Sequence, residues 1–439
     1  MLIQFSVENF RSIREEQTLS MVKNSSDEMP ENYTDSNALK VPNLLKTAVI
    51  YGANASGKSS LIRALLHMRN IIEGSFSKKI NEEIAVEPFL FDSAWKDEPT
   101  TFSADIVVNF NDKDEEANPV RVEYGFSATK FLVHEEWLSV YPNGREQAWF
   151  HRIYDEETDS YIWQKESSYF KGSKEIWKKN TRKDQLFLST AVQLNSEQLK
   201  PVYDWFEDNL RVLDSDRIDD EFTKKVCQNE KARKLIVSFL QQADIDVEDI
   251  IIKKNKLTID QLSDDLPEDF KRHILKSQHE VLNAYFVHLD ELGNQVLINV
   301  EDESEGTQKL FEFAAPLFDV IFKGFTFIVD ELNKSLHSDL VRFLVKIFNS
   351  SQNFNGEFQL IITTHETSVL RKDLLRRDQI WFCEKNKSKV TSLYPLTDFS
   401  PHKDREDLEE SYLAGRYGGK PIIKEFKLPK IFSSETSEE

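Results

Sequence analysis

The chain has 439 residues, 39% hydrophobic and 30% charged, which is enough for two or three domains' worth of core in a soluble globular protein. Its net charge of −20 excludes attraction to nucleic acid or an anionic membrane through bulk charge, but not through a local basic groove. Two cysteines, Cys227 and Cys383, stand far apart and in no C-x-x-C, which points to a reducing compartment and excludes structural zinc. The first residues, Met1-Leu2-Ile3-Gln4-Phe5-Ser6-Val7-Glu8, lack a basic n-region and a long apolar core, so no signal peptide is expected. They alternate apolar and polar side chains instead, and predict a strand over 2–9. Asn9-Phe10-Arg11-Ser12-Ile13 turns the chain, 17–21 is a returning strand, and the polar stretch 23–40 is a loop.

A short apolar run, Thr47-Ala48-Val49-Ile50, then leads into Tyr51-Gly52-Ala53-Asn54-Ala55-Ser56-Gly57-Lys58-Ser59-Ser60 and a helical pattern at Leu61, Ile62, Ala64, Leu65 and Leu66. Gly52, Gly57, Lys58 and Ser59 fit G-x-x-x-x-G-K-[ST] at every fixed position. The spacing suits phosphate wrapping. The glycines let successive N–H groups point inward, and the following helix adds its positive dipole end. Lys58 would reach the outer phosphates of a nucleotide, and the Ser59 hydroxyl would be a ligand for Mg²⁺. Residues 52–60 are therefore candidate nucleotide-binding residues.

Residues 83–163 change to strand patterns, with strands at 102–108, 120–126 and 131–141, an acidic hairpin loop at 109–118, and a turn at Pro142-Asn143-Gly144. Helical patterns dominate 181–286, at 185–194, 196–209, 232–242 and around 266–275, with strands at 247–253 and 284–289. From 295 onward strands alternate with helices: strand 296–300, helix 304–322, strand 325–329, helix 338–348, strand 358–362, and strands at 380–383 and 389–394. That alternation implies a mostly parallel sheet with helices on both faces. No apolar run approaches the roughly 20 residues of a membrane helix, and a cytoplasmic location is expected.

Three further stretches carry chemistry. Phe325-Thr326-Phe327-Ile328-Val329-Asp330-Glu331 is a buried-type strand ending in two acids. Alone it also fits a solvated acidic turn. Beside a P-loop, Asp330 would hold Mg²⁺ through its water shell and Glu331 would orient and deprotonate the attacking water. Ile361-Ile362-Thr363-Thr364-His365 is a strand whose tip could set His365 near the γ-phosphate as a sensor. Ser304-Glu305-Gly306-Thr307 opens an amphipathic helix. Ser304 is a good N-cap and Glu305 complements the dipole, yet Ser304 and the Gly306 N–H could also be free to meet a phosphate carried by another subunit.

In this order the pieces resemble the ABC-type ATPase heads of SMC-like proteins: Walker A, a long insertion, a signature helix, Walker B, a D-loop and a switch histidine. Asn333-Lys334-Ser335-Leu336-His337 looks like the D-loop. More narrowly, several stretches resemble RloA/AbiL-type AAA-family ATPases of bacterial abortive-infection and antiphage systems. They are Asn9-Phe10-Arg11-Ser12, Pro88-Phe89-Leu90-Phe91, Asp330-Glu331-Leu332 with Leu336-His337, and Ser411-Tyr412-Leu413-Ala414-Gly415-Arg416-Tyr417-Gly418-Gly419-Lys420-Pro421. The resemblance implies an α/β P-loop NTPase with an ABC-type head, a mixed sheet flanked by helices, plus an inserted β-meander and a helical subdomain. The implied parts are 1–82 and 294–397 for the head, 83–165 for its antiparallel part, 166–293 for a mainly helical insertion, and 398–439 for a tail.

It further implies hydrolysis of ATP with Mg²⁺ and an ATP-dependent homodimer or higher oligomer. Lys58, Glu331 and His365 would be catalytic. Arg11 would join the nucleotide-binding residues, Ser59 and Asp330 would hold the metal, and 304–307 would act in trans. Mg-ATP would join two heads and hydrolysis release them. Two departures stand out. Glu305 and Thr307 replace the Gly and Gln of transporter-type heads, and no Gln between Ser59 and Trp137 can serve as a Q-loop, leaving the lid to residues near 87–92. Only about 75 residues follow His365, too few for the nuclease domain of OLD-type relatives, so any toxin or nuclease activity is expected on a separate effector chain. Two basic clusters could contact nucleic acid: Lys174, Lys178, Lys179, Arg182 and Lys183, and Arg371, Lys372, Arg376 and Arg377. A DNA-binding repair ATPase of the SMC-like kind and a non-hydrolysing ATP-binding scaffold are the alternatives to an ATPase switch.

Overall fold

The computed structural model describes residues 1–110, 118–214, 220–256, 280–334, 336–349, 358–402 and 406–421. The chain begins with β1 (Leu2–Glu8) and β2 (Gln17–Ser20), then runs through β3 (Thr47–Gly52) into the P-loop and α1 (Lys58–Gly74). Every residue of β3 is buried, as an apolar run in the middle of a parallel sheet must be. In α1, Leu61, Ile62, Ala64, Leu65, Met68, Ile71 and Ile72 recur at helical spacing and form its buried face.

Next come β4 (Thr100–Phe110), β5 (Asn118–Ala128), β6 (Val133–Val140), β7 (Gln147–Asp155) and β8 (Ser160–Trp163). They pair antiparallel in sequence, and β4 continues onto β1 and β2, giving a seven-stranded sheet. The amino-terminal hairpin thus belongs to the antiparallel sheet, and most of the expected acidic loop at 109–118 lies outside the described residues.

Among the described residues of 166–293, helices alternate with strands, and the strand over 210–214 is not one of those expected. These residues hold α2 (Lys174–Asn180), α3 (Phe187–Gln193), α4 (Lys200–Asp204), β9 (Leu210–Asp214), α5 (Glu221–Cys227), α6 (Glu230–Gln242), β10 (Asp249–Lys256) and β11 (Glu280–Leu289). The single helix expected over 196–209 is α4 followed by a π-turn at Trp205–Asn209, after which the chain extends into β9. That strand pairs parallel with β13 (Thr326–Asp330) at the edge of the central sheet. The helix expected around 266–275 lies outside the described residues. Strand β12 (Gln295–Asn299) completes a small sheet with β10 and β11.

The remaining elements are α7 (Glu305–Lys323), α8 (Ser338–Asn349), β14 (Gln359–Thr363), β15 (Ile380–Lys385), β16 (Thr391–Pro395) and α9 (Leu408–Leu413). The central sheet runs β9-β13-β14-β3-β15-β16, parallel except for β16. Its side chains alternate between two cores. Ala48, Ile50, Ile328 and Ile361 face α1 and the antiparallel sheet, while Val49, Tyr51, Phe327, Val329 and Ile362 face α6, α7 and α8. The mostly parallel sheet is the one expected from the P-loop and the strand–helix alternation, and the antiparallel sheet joined to it is the one expected from the strand patterns of 83–163.

Candidate active site

In this strand order β14 lies between β13 and β3, so the P-loop, the Asp330–Glu331 pair and His365 leave carboxyl ends of adjacent strands. Ligands of open α/β sheets bind in the crevice there. A cleft of about 1370 Å³ opens at this edge, lined among others by Arg11, Ser12, residues 54–60, Arg63, Glu331, His365 and Lys385.

The P-loop takes its shape from special backbone positions. Gly57 has φ 113° and Ala55 φ 61°, and a Cβ on Gly57 would collide with the Thr391 side chain. Thr391 Oγ1 lies 2.9 Å from both the Ser56 carbonyl oxygen and Ser12 Oγ, and Ser12 Oγ donates to Ser60 Oγ at 3.0 Å. The β1–β2 turn and β16 therefore brace the loop from behind. Thr391 carries no signal in the sequence, because it is an ordinary polar residue far from the motif, and Ser12 stands out only through the resemblance of its stretch, with no role attached.

Lys58 is 4% exposed, and its Nζ donates to the carbonyls of Gly52 (2.8 Å) and Ala53 (3.2 Å) and to His365 Nε2 (3.2 Å). Burial lowers the Lys58 ammonium below its ordinary value, opposed by Cys383, Glu331 and Asp330. Burial also pushes the Cys383 thiol up to about 12, so at neutral pH it is uncharged and the two carboxylates are the effective counter-charges. His365 is lowered by burial and then by Lys58, which leaves a neutral imidazole whose Nε2 accepts from the ammonium. A histidine held below its ordinary 6.5 contributes stability that is complete above that value and lost as pH falls through the folded one. Chemical denaturation between about pH 8 and about pH 5 is therefore expected to show a steeper loss of stability on acidification in the wild type than in His365→Gln. Equal slopes would mean that the imidazole is not held neutral.

Thr363 orients the acidic pair. Its hydroxyl donates to Asp330 Oδ1 and accepts from the Glu331 N–H at 2.8 Å, and its carbonyl accepts from Leu332 N at 3.1 Å. Glu331 itself sits at φ 54°, a region that costs a non-glycine residue about 1–3 kcal/mol and that these bonds sustain. Asn333, in the stretch read as a D-loop, accepts from Thr364 Oγ1 (2.9 Å) and His365 N (3.2 Å), coupling the two strand tips. Ser335 of that stretch lies outside the described residues.

Other expected residues sit elsewhere. Arg11 lines the cleft at φ 53°, but its Nε is ion-paired with Glu87 at 3.0 Å. Residues Ser304, Glu305, Gly306 and Thr307 are not among the lining residues of their own chain's cleft. Ser304 Oγ is not free: it caps α7, accepting from Thr307 N at 3.3 Å, and lies 2.8 Å from Thr307 Oγ1. Both basic clusters are largely internal ion pairs. Lys174 and Lys178 meet Glu166, Arg182 meets Asp184, Lys183 meets Asp159, Arg371 meets Asp373, and Arg377 meets Glu28. Arg376 is 1% exposed and bonded to Asp378, so it forms no nucleic-acid surface. Like charges close in sequence drew acids close in space. No helix of the described residues is long and apolar enough to cross a membrane.

Among solved structures the chain is similar to the SMC head domain from Thermotoga maritima, at 11% identity and a TM-score of 0.40, covering 90% of this chain and 98% of that one. It is also similar to the Smc head domain with an extended coiled coil bound to the C-terminal domain of ScpA, derived from Pyrococcus furiosus (12%, TM-score 0.36, 94% and 98% covered). A third is the recombination mediator protein RecF bound to ATP (13%, TM-score 0.31, 83% and 93% covered). No curated protein matches. The family model described as "AAA domain, putative AbiEii toxin, Type IV TA system" matches residues 48–371, most of the chain, and the protein belongs to this AAA-domain family.

Proposed function

We propose that this protein is a Mg²⁺-dependent ATPase that works as a nucleotide-gated switch, in which two copies close on ATP and separate on hydrolysis. The observation that carries it is the convergence of Lys58, His365 and Glu331 on the P-loop cleft from three adjacent strands. The P-loop N–H groups and Lys58 would bind the phosphates. Glu331, aimed by Thr363, would take the proton of the attacking water, and His365 would sense the γ-phosphate. Ser59 and Asp330 would hold Mg²⁺, which neutralises phosphate charge when bound. Their hydroxyl and carboxylate oxygens suit a hard cation.

The family description, which names a putative AbiEii toxin of a type IV TA system, and the resemblance to abortive-infection ATPases support a defence role, and in this reading the switch controls a separate effector protein. The neutralised basic clusters favour this over a DNA-binding repair ATPase. The test is the solution mass of Glu331→Gln by light scattering, with and without Mg-ATP. A doubling with ATP that is lost in a second variant, Ser304→Arg, is expected. A monomer under both conditions would discard the switch, and a mass independent of ATP would place nucleotide action within a standing oligomer.

A further inference from the structure

The cleft is larger than the roughly 300–1,000 Å³ of ordinary ligand sites, and its walls differ in character. The P-loop side is polar and cationic. Elsewhere the lining mixes charged residues with an apolar group: Val86, Pro88, Leu90 and Phe91 from the segment after α1, and Phe131 from the β5–β6 turn. Leu90, Phe91 and Phe131 are 73%, 68% and 56% exposed, an unusual clustering of large apolar side chains.

These residues stand on a braced support. Ile84 N donates to the Lys130 carbonyl at 2.6 Å, tying the first segment to the turn that carries Phe131. Phe89, 1% exposed, packs edge-on against Phe91 with centroids 5.7 Å apart, and its N–H donates to Asn9 Oδ1 at 2.9 Å. The Asn9 amide in turn donates to the carbonyls of Trp95 and Glu98 at 2.9 and 2.8 Å. Arg11 N donates to the Glu87 carbonyl at 2.7 Å. The shelf is thus fixed to the same β1–β2 turn that braces the P-loop. Several polar side chains beside it are engaged: Glu87 with Arg11, Lys130 with Glu83, Thr129 with His134, and Lys96 with Asp97.

Resting on the nucleotide reading above, we infer that Phe91 and Phe131 form the nucleobase wall of the site, holding the base by stacking and not by reading its hydrogen-bonding edge. A nucleotide anchored by its phosphates on the P-loop must lay its base on some other wall of this cleft. The exposed aromatic shelf is the apolar wall that a flat π-face would cover. Stacking accepts any base, whereas discrimination needs a free polar partner at the base edge.

The test compares Mg-ATP, Mg-GTP and inorganic tripolyphosphate by calorimetric titration of the full chain and of Phe91→Ala, Phe131→Ala and the double variant, with Phe91→Trp as the conservative replacement. In the double variant, Mg-ATP binding is expected to weaken by about tenfold or more. Tripolyphosphate binding should not change, Phe91→Trp should retain affinity, and GTP should bind within about tenfold of ATP. Unchanged ATP affinity, or equal losses for ATP and tripolyphosphate, overturns the stacking wall. Strong preference for one purine overturns the absence of edge readout. Failure of the wild-type chain to bind either ATP or tripolyphosphate overturns the nucleotide reading itself, and the wall with it.

Discussion

Replacing Glu331 with glutamine is expected to lower steady-state ATP turnover by about 10²- to 10⁴-fold while leaving Mg-ATP affinity nearly unchanged. Glutamine keeps the shape and the backbone bond from Glu331 N to Thr363 Oγ1, so the φ of 54° and the strand tip persist. What it removes is the basic carboxylate at the cleft wall. The charge near Lys58 also falls by one, but Asp330 remains as a counter-charge and the Gly52 and Ala53 carbonyls still hold the ammonium. Phosphate release and nucleotide binding, measured on the same preparation, separate the two effects. Unchanged turnover would remove Glu331 from the role of base and leave the chain as an ATP-binding scaffold. Loss of binding together with turnover would mean that the side chain supports the P-loop and not the water.

The largest effect on stability is expected at Glu136, on β6. Its carboxylate is fully buried and accepts from Arg152 Nε (2.8 Å), Tyr124 Oη (3.1 Å), Phe187 N (2.7 Å) and Leu188 N (2.9 Å). The last two donors are the first N–H groups of α3, so the acid also meets a helix N-terminus. Arg152, equally buried, is held further by the Gln185 carbonyl and lies 4.3 Å from the centroid of the Tyr161 ring. This pair locks the antiparallel sheet to α3, and α3 to α1 through Ser189 Oγ on the Ile72 carbonyl (2.7 Å). Glu136→Ala strands a buried guanidinium, and a loss of about 3–5 kcal/mol is expected, visible as a lowered melting temperature. Adding Arg152→Met should recover the part that comes from the unpaired guanidinium, while Tyr124 Oη and the Phe187 and Leu188 N–H groups stay without their acceptor. A double variant no better than Glu136→Ala would mean that the acid acts chiefly as the α3 cap.

The P-loop, the acidic pair and His365 are legible in the sequence for a common reason. Each joins a local apolar strand to chemistry at its carboxyl end, and strand, turn and helix signals there lie within about ten residues. Residues such as Thr363, Thr391 and Ser12 carry no such signal. Their roles come from hydrogen bonds across sequence distances that pattern cannot span, as between Ser12 and Thr391. Strand β9 escaped because five residues after a helical pattern have no periodicity of their own, and its partner β13 lies more than a hundred residues away. The two basic clusters misled in the opposite direction: runs of Lys and Arg are visible in sequence, but the acids that neutralise them are scattered along the chain and meet them only in space.

By itself, then, the sequence determined the elements whose information is local: the alternation of strands and helices, the phosphate-wrapping loop with its lysine, and the acids and histidine at strand ends. Tertiary structure alone decided that β14 stands between β13 and β3, bringing Glu331 and His365 to Lys58. It also decided that the amino-terminal hairpin joins the antiparallel sheet, and that Phe91 and Phe131 line the same cleft as the P-loop. The physical reason is that backbone preference and hydrophobic period act over a few residues. Strand order, register and the pairing of buried charges are chosen by which long-range packing satisfies every buried group at once.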